Sequence, residues 1–396
     1  MTPTVQLQEL VKPNRPVTYG IVKPGPDTPG GVPYVRVVDI QDGRILSDRL
    51  RRTTEKLAAS YKRSSLQSGD LLISIRGHVG RMAFVPPELE GANITQDTAR
   101  LSLGKRCIPN FVRWYIASPG AQRWIAERIR GVAVTGINLG DLRELPIPLP
   151  PLPEQNRIAA ILDKADAVRR KRQEAIRLTE ELLRAAFLEM FGDPVVNPKG
   201  WEEQPFGELV VDTHLGLVRA SADQGPDRQY EYIRMDSIRR DGLLQLAGLA
   251  RVDATNREAT ACSLARGDLL FNTRNTKELV GKTAVYRGDG SHLFNNNIMR
   301  VRFRKGISAD YINQYLLSQR GQHELNMRKS GTTTVFAIYY KQLATLPVPS
   351  PPAALQARYA RVVDAVVDAR RAERNHDDHV AQFASSLTQR AFSGRL

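Results

Sequence analysis

The side chains best suited to chemistry in this sequence are basic and amide groups rather than a catalytic cluster. Lys and Arg total 57 against 42 Asp and Glu, which gives a formal net charge of +15 and a pI of about 10.0. Clustered cations bind phosphates because counterions are released from the nucleic acid. A basic protein with an ordinary solvated surface is the alternative. An acidic membrane fits less well, because no helix sets a basic face against bulky aromatics.

The motifs that would support catalysis or cofactor binding are missing. No Gly-x-Gly-x-x-Gly follows a strand pattern, and no Asn/Asp-Pro-Pro-aromatic tetrapeptide occurs, so base methylation by this chain itself is not expected. Val280–Thr283 resembles the end of a phosphate-binding loop, but Thr276 stands where that loop needs its first glycine. We therefore expect no catalytic residues and no cofactor.

Metal and disulfide sites are not expected either. The six histidines are scattered, and His376 and His379 share a helical face without a third ligand. Cys107 and Cys262 fit neither a zinc spacing nor a disulfide framework. With no long apolar run and no secretory pattern at the N-terminus, a reducing cytoplasm is the expected location, away from any membrane.

A duplication supplies the elements that would position the polar groups. Gly69–Leu72 recurs 198 residues later as Gly267–Leu270, and Leu145–Pro148 recurs 201 residues later as Leu346–Pro349. Further matched pairs are Arg100 with Arg300, Phe111 with Tyr311, Tyr115 with Tyr315 and Gly131 with Gly331. An ordered series with nearly constant spacing predicts two copies of one fold.

Each copy is predicted to be a mixed α/β domain. Alternation at Leu71–Ser74 predicts a short strand, and apolar residues at helical spacing predict one helix over Asn110–Ile129 and another over Asp310–Arg328. The first parts of the copies, 1–68 and 201–266, match weakly.

A proline-rich stretch ends each copy and leads into a long helix. We predict helices from about Pro153 to Phe191 and from about Pro352 to Phe392, with apolar residues near a 3.5-residue period. Gly192 and Pro194 would end the first. A proline-rich ligand for a peptide-binding domain is the rival interpretation, and it is weak because both copies carry the prolines at the same junction.

The centres of the two helices are polar. The first passes the basic run Arg169–Arg172, and the second passes Glu373, His376, Asp377 and Asp378. An antiparallel pair would set the basic centre opposite the acidic one, which is a hypothesis. The alternative, in which each helix packs only on its own domain, is hard to reconcile with about ten turns of helix.

Two junctions resemble those of the specificity subunits of type I restriction–modification systems. They are Leu145–Ile158, and Ala186–Pro194 followed by Asn197–Trp201. The end at Ala391–Gly394 is similar to the family's usual helix end, and Gly267–Thr283 resembles a segment common in its target recognition domains. The resemblance covers essentially the full length.

The resemblance implies an α+β fold in which two mixed α/β target recognition domains are separated by two long antiparallel helices with a pseudo-twofold repeat. The predicted boundaries are 1–150 and 193–350 for the domains, and 151–192 and 351–396 for the helices. Each domain would read one half of a split, asymmetric double-stranded DNA target. The helices would fix the spacer and dock two methyltransferase subunits. Motor–nuclease subunits would join for cleavage, so that catalysis lies wholly in the partners.

Candidate DNA contacts are polar or basic residues in the matched loops. Arg and Asn can make bidentate contacts to base edges, whereas Lys and Thr more often hold phosphates. The candidates in the first domain are Arg76, His78, Arg81, Thr135 and Asn138, and those in the second are Arg274, Asn275, Lys277, Lys282, Asn296, Lys329, Thr332 and Thr333.

Two other classes remain open. A stand-alone duplicated DNA-binding protein would bind DNA tightly without partners and would not need such long helices. A protein-interaction scaffold would show little salt dependence in any DNA binding, whereas a DNA reader loses affinity steeply as salt rises.

Overall fold

The computed structural model describes residues 3–131, 135–331, 334–370 and 392. The chain divides into two units. Unit 1 contains Met1–Arg172 together with Asn375–Leu396, and unit 2 contains Gln173–Arg374. The break between Arg172 and Gln173 falls within the helix Leu152–Phe191. The boundaries predicted from sequence, which separate domains from helices, therefore stay a prediction.

Unit 1 combines short strands with short helices and the first part of one long helix. Its strands are β1 (Thr4–Gln6), β2 (Thr18–Tyr19), β3 (Val32–Val35), β4 (Ile40–Gln41), β5 (Arg44–Ile45), β6 (Arg51–Thr53), β7 (Leu71–Ser74), β8 (Met82–Phe84), β9 (Asn93–Ile94), β10 (Thr98–Leu101) and β11 (Pro146–Pro148). Its helices are α1 (Glu55–Ser60), α2 (Pro109–Ala117), α3 (Pro119–Ala126), α4 (Leu139–Arg143) and the start of α5 (Leu152–Phe191).

Unit 2 repeats this series. Its strands are β12 (Glu203–Pro205), β13 (Val210–Leu215), β14 (Tyr230–Ile233), β15 (Ala250–Val252), β16 (Leu269–Asn272), β17 (Arg274–Asn275), β18 (Thr283–Val285), β19 (His292–Phe294), β20 (Ile298–Phe303), β21 (Ser330–Gly331), β22 (Phe336–Ala337) and β23 (Pro347–Pro349). Its helices are α6 (Asn256–Ala261), α7 (Ala309–Leu317), α8 (Gln319–Met327), α9 (Tyr340–Leu343) and a helix at residues 353–370.

The two units share one sheet topology. The central antiparallel sheet has the order β2-β10-β7-β8 in unit 1 and β13-β20-β16-β18 in unit 2. A smaller sheet, with one parallel pair, has the orders β6-β3-β9 and β15-β14-β19. The starts of the two copies therefore fold alike although their sequences match weakly, and the predicted α+β class with an internal repeat is confirmed.

Alternate residues of one central strand face two separate cores. In unit 1, Leu71 and Ile73 pack in the core that holds α2 and the start of α5, whereas Leu72 packs on the opposite side of the sheet. In unit 2, Leu269 and Leu270 divide in the same way. A strand with two buried faces has apolar residues at consecutive positions. This explains why both copies have two leucines in succession after the aspartate.

The predicted helices over Asn110–Ile129 and Asp310–Arg328 are wrong as single helices. Each is two helices, broken at Ser118 and at Ser318. Both serines have extended backbone, and their hydroxyls accept hydrogen bonds from Ala121 N and Gly321 N. A serine N-cap starts the second helix in each unit.

The first predicted long helix is confirmed, since α5 runs from Leu152 to Phe191. The second is described only over 353–370 and at Phe392, which is helical. The residues that the charge-pairing hypothesis uses from the second helix, Glu373, His376, Asp377 and Asp378, lie outside the described residues. In the described part of the chain, Asp166 of α5 itself pairs with Arg169 and Arg170 at 2.8 Å each.

A buried glutamine ties each long helix to the domain that precedes it. Gln155 Oε1 accepts a hydrogen bond from Ile108 N at 2.8 Å, and its Nε2 donates to Pro150 O at 2.8 Å. Gln356, 201 residues later, accepts from Ser308 N and donates to Pro351 O, both at 2.9 Å. The proline-rich junction and the start of α2 or α7 are thereby locked to the first turn of the helix.

Within unit 2 the two long helices are antiparallel. Tyr359 OH donates to Leu183 O at 3.3 Å, while Arg370, further along its helix, reaches back to Thr179 Oγ1 and to Ile176 O at 2.7 Å each. The partners run in opposite directions along the sequence, which confirms the predicted antiparallel arrangement.

Phe191 and Phe392 pack on aromatic residues of the globular parts. In unit 2, Phe191 lies 4.7 Å from Tyr311 between ring centroids. In unit 1, Phe392 lies 5.5 Å from Phe111 and 5.2 Å from Tyr115. Phe392 and Phe191 are 201 residues apart, so phenylalanines at matched positions make equivalent contacts. No helix in the described ranges is long and apolar enough to cross a membrane.

Candidate nucleic-acid interface

Two polar loops of unit 1 are joined by main-chain hydrogen bonds. The loop that follows β7 pairs through Arg76 with Gly136. Gly77 N donates to Thr135 O at 2.9 Å, and Ile137 N donates to Ile75 O at 2.9 Å. Side chains on both loops therefore project from a fixed backbone.

Unit 2 has the same arrangement in a more regular form. β17 pairs with β22, which pairs with β21, so that Arg274 lies opposite Ala337 and Asn275 opposite Phe336. Ile338 N donates to Thr273 O at 2.9 Å, as Ile137 does to Ile75 in unit 1. The structure thus brings together, within each unit, the two loops on which most candidates lie.

Five candidates present exposed side chains on these loops: Arg76, His78, Thr135, Arg274 and Lys277. In the part of the chain that the structure describes, none of the four titratable side chains among them makes a salt bridge. Most other arginines in the described part of unit 2 are paired, for example Arg219 with Glu258 at 2.9 Å and Arg302 with Asp268 at 2.8 Å. The loop cations are therefore available to an external anion.

Two candidates at equivalent positions point inward. Lys282 Nζ donates to Met235 O at 2.8 Å and also to Ile238 O. Arg81 Nη1 donates to Ile40 O at 3.4 Å, and Ile40 is the counterpart of Ile238 198 residues earlier. Each side chain therefore links the central sheet to the segment that follows β3 in unit 1 or β14 in unit 2. Burial lowers the pKa of Lys282.

Four more candidates are held by contacts within the protein. Asn138 caps α4, accepting from Asp141 N at 2.9 Å. Lys329 Nζ donates to Lys277 O at 2.7 Å, and burial lowers its pKa. Asn275 Oδ1 accepts from Thr276 N at 2.8 Å, and Asn296 is half-buried, with its main chain bonded to Leu217 O. The candidates Thr332 and Thr333 lie outside the described residues.

Sequence reasoning missed three residues on the same loops. Arg130 is exposed and pairs with Gly136, beside Arg76. Tyr339 is 54% exposed, and its hydroxyl accepts from Arg274 Nη2 at 3.4 Å. The ring centroid of Phe336 lies 5.8 Å from Lys277 Nζ. The available signal for Arg130 was its place in the repeat. It lies one residue before the matched Gly131, as Ser330 lies one residue before Gly331.

The most regular motif of the repeat is structural. Asp70 accepts from Gln67 N at 2.9 Å and from Arg15 Nη2 at 2.7 Å, while Asp268 accepts from Ala265 N at 2.8 Å. The preceding Gly69 and Gly267 have φ of 83° and 96°, which only glycine adopts readily. Each Gly-Asp pair closes a turn before the central strand. No group of His, Cys, Asp and Glu side chains in the described ranges could hold a metal ion.

A family model matches the part of the chain that contains the candidate loops of unit 1. The type I restriction modification DNA specificity domain matches residues 21–179. That range includes Arg76, Thr135 and the Gln155 anchor.

Curated relatives match about half of the chain. The specificity subunit of the type I restriction enzyme EcoBI from Escherichia coli is 32% identical over 190 residues, covering 46% of this chain and 40% of the relative. The putative MjaX specificity subunit from Methanocaldococcus jannaschii is 26% identical over 187 residues, covering 46% of this chain and 44% of the relative. The matches thus span less than half of each relative's length.

Among solved structures, the S subunit of a type I restriction–modification system from M. genitalium resembles the whole chain. It has a TM-score of 0.62 at 13% identity, covering 99% of this chain and 96% of that one. At this identity the likeness shows the fold alone: two mixed α/β domains with long helices.

Proposed function

Because this chain carries the DNA specificity domain of type I restriction–modification systems over residues 21–179, we propose that it is the subunit that reads the target sequence of such a system. The target is double-stranded DNA in two unequal halves, one read by each unit. The observation that carries this is the pair of exposed arginines, Arg76 and Arg274, on equivalent loops without salt-bridge partners in the described ranges.

The difference between the two loop pairs supports an asymmetric target. After β7, Arg76 and His78 stand on a short loop, whereas the loop after β16 is longer and carries Asn275 and Lys277. The second loop of unit 2 adds Phe336 where unit 1 has Thr135. Identical scaffolds with unlike loop side chains are suited to unlike base sequences.

The long helices set the spacing of the half-sites and dock two methyltransferase subunits. Leu178 and Leu182 on α5 support docking, because they are 51% and 53% exposed one helical turn apart. Motor–nuclease subunits join the complex for cleavage. Methyl transfer and cleavage belong to the partners, and this chain is a non-catalytic subunit in the cytoplasm.

Co-expression with the neighbouring methyltransferase tests the proposal. Methylated adenines are then mapped across the genome with and without this chain. A split, asymmetric motif that is methylated only when the chain is present is the expected result. A methyltransferase that is active and yet produces no new motif contradicts the proposal. Tight, salt-sensitive DNA binding without any methylation favours a stand-alone DNA-binding protein, and salt-insensitive binding favours a scaffold.

A further inference from the structure

The backbone that carries Arg274 is held on both sides. Arg274 pairs with Ala337 in β22, and its N–H donates to Asn272 Oδ1 at 3.3 Å. The preceding Thr273 is buried and bonded through N and Oγ1 to Asn297 O, at 2.8 and 3.0 Å. The exposed guanidinium therefore starts from a rigid strand.

Tyr339 restrains the other end of that side chain. Its hydroxyl accepts from Arg274 Nη2 at 3.4 Å. The backbone of Tyr339 is itself fixed, because its N–H donates to Gln342 Oε1 at 2.9 Å at the start of α9. More than half of this tyrosine is exposed, so packing in the core does not account for its place.

A phenol leaves the guanidinium able to bind a base. A guanidinium has five N–H donors, and the tyrosine takes one of the two on Nη2. The second Nη2 hydrogen and one of the two Nη1 hydrogens stay available as a parallel pair, which matches the O6 and N7 acceptors of guanine. A carboxylate partner would have neutralised the charge. We propose that Tyr339 is a positioning residue that orients Arg274 to read one guanine in the half-site of unit 2. This inference rests on the proposed function.

The part of unit 1 that the structure describes shows no equivalent of the contact between Tyr339 and Arg274. Arg76 occupies the equivalent strand position, opposite Gly136. The counterpart of Tyr339, 201 residues earlier, is Asn138. Both polar groups of Asn138 bond to Asp141, at 2.9 and 2.6 Å. Among the described residues, Arg76 thus has no orienting partner of this kind, which makes it the matched control for Arg274.

The test uses the full chain in its methyltransferase complex and duplexes of the mapped target. Each guanine is replaced in turn by 7-deazaguanine, which lacks the N7 acceptor. One replacement should weaken wild-type binding by ~10-fold, as expected for a lost bidentate contact. The same replacement should cost nothing in Arg274→Ala. In Tyr339→Phe, the loss of affinity caused by that replacement should be ~3-fold smaller than in wild type, because the hydrogen bond that orients Arg274 is lost. Tyr340→Phe, one residue on, should keep the full penalty.

The outcomes separate the two proposals. A wild-type complex that binds no specific duplex contradicts the proposed function and this inference together. A wild-type complex that binds its target, but shows no guanine coupled to Arg274, contradicts only the inference. So does a penalty that Tyr339→Phe leaves unchanged, or one that Arg76→Ala abolishes at the same guanine. Equal melting temperatures of the Phe variants and wild type exclude a general loss of structure.

Discussion

Gln155 and Gln356 each satisfy a main-chain N–H where a helix of the globular domain begins. Their side chains are 1% and 2% exposed, so the groups they bond have no easy route to water. A buried donor or acceptor left without a partner costs about 1–3 kcal/mol. Each proline-rich junction is thus a rigid joint between domain and helix, and the glutamine holds it together.

We expect Gln155→Ala to destabilise unit 1 by about 2 kcal/mol, because Ile108 N–H loses its acceptor in a buried setting. Denaturant unfolding of the full chain would measure the loss. Asn156→Ala, at the exposed neighbouring position, should change the free energy of unfolding by less than ~0.5 kcal/mol. Equal effects of the two substitutions would argue against the joint.

Lys282 and Lys277 should respond differently to the same change. Lys282→Met removes donors from two carbonyls and should lower the free energy of unfolding by ~1–3 kcal/mol. Lys277→Met should leave stability nearly unchanged and reduce the slope of log affinity against log salt by ~1, if the ammonium contacts a phosphate. Binding at several salt concentrations, alongside thermal melts, checks both. A lower salt slope in Lys282→Met without destabilisation would contradict its inward position.

Such inward positions could not be predicted from the sequence. Lys282 follows a glycine in a polar loop, which is the usual setting of a solvated lysine. Its partners, Met235 and Ile238, lie more than forty residues earlier, in the part of the copy that matches its counterpart least. The exposure of Arg274 and Lys277, by contrast, could be predicted from residue type and loop position.

At the scale of elements, periodicity predicted α5 to within one residue because proline and glycine mark its ends. It failed at Ser118 and Ser318, where the apolar stripe continues across a break. Pro119 and the serine cap gave a signal in the first copy, but the second copy has Gln319 instead of proline. The shared fold of 1–68 and 201–266 could not be predicted from sequence similarity, because strands need only suitable inward-facing residues.

A small charge network joins a turn of unit 2 to its pair of helices. Asp241 pairs with Arg239 at 2.8 Å and lies 3.7 Å from Arg370 Nη1. Glu180 lies 3.8 Å from Arg370. Burial and then the neighbouring Asp241 carboxylate raise the pKa of Glu180, although Arg370 and Arg239 oppose this. The native state therefore holds the proton of Glu180 more tightly than the unfolded chain does.

The sign of the pH effect follows from this shift. A carboxyl group whose pKa is raised on folding binds more protons in the native state, so its contribution to stability falls as pH rises above 4.5, the ordinary pKa of a glutamate. We expect Glu180→Gln to stabilise unit 2 at neutral pH, by less than ~1 kcal/mol, and to flatten the fall in melting temperature between acid and neutral pH. Glu181→Gln should not stabilise, because Glu181 pairs with Arg177. A lower melting temperature for Glu180→Gln at neutral pH would contradict the assignment.

At the scale of the whole molecule, two units with separate cores should contribute separately to recognition. Arg76→Lys should relax base choice in one half of the target, and Arg274→Lys in the other. Because the two residues belong to separate units, each with its own core, the losses in binding free energy should add to within ~0.5 kcal/mol in the double variant. Affinities for targets mutated in one half at a time would test this. Relaxation of both halves by one substitution would show that the units are coupled.

The paired glutamine joints also bear on how such a chain could evolve. Because the same proline-rich strand, helix start and glutamine recur in both halves, a crossover within these matched stretches would deliver a foreign domain with its connection intact. New combinations of half-sites could then arise in a single recombination event, with no need to rebuild the connection by point mutation. A lineage under pressure to change its recognition sequence would be expected to keep the joints and exchange what lies between them.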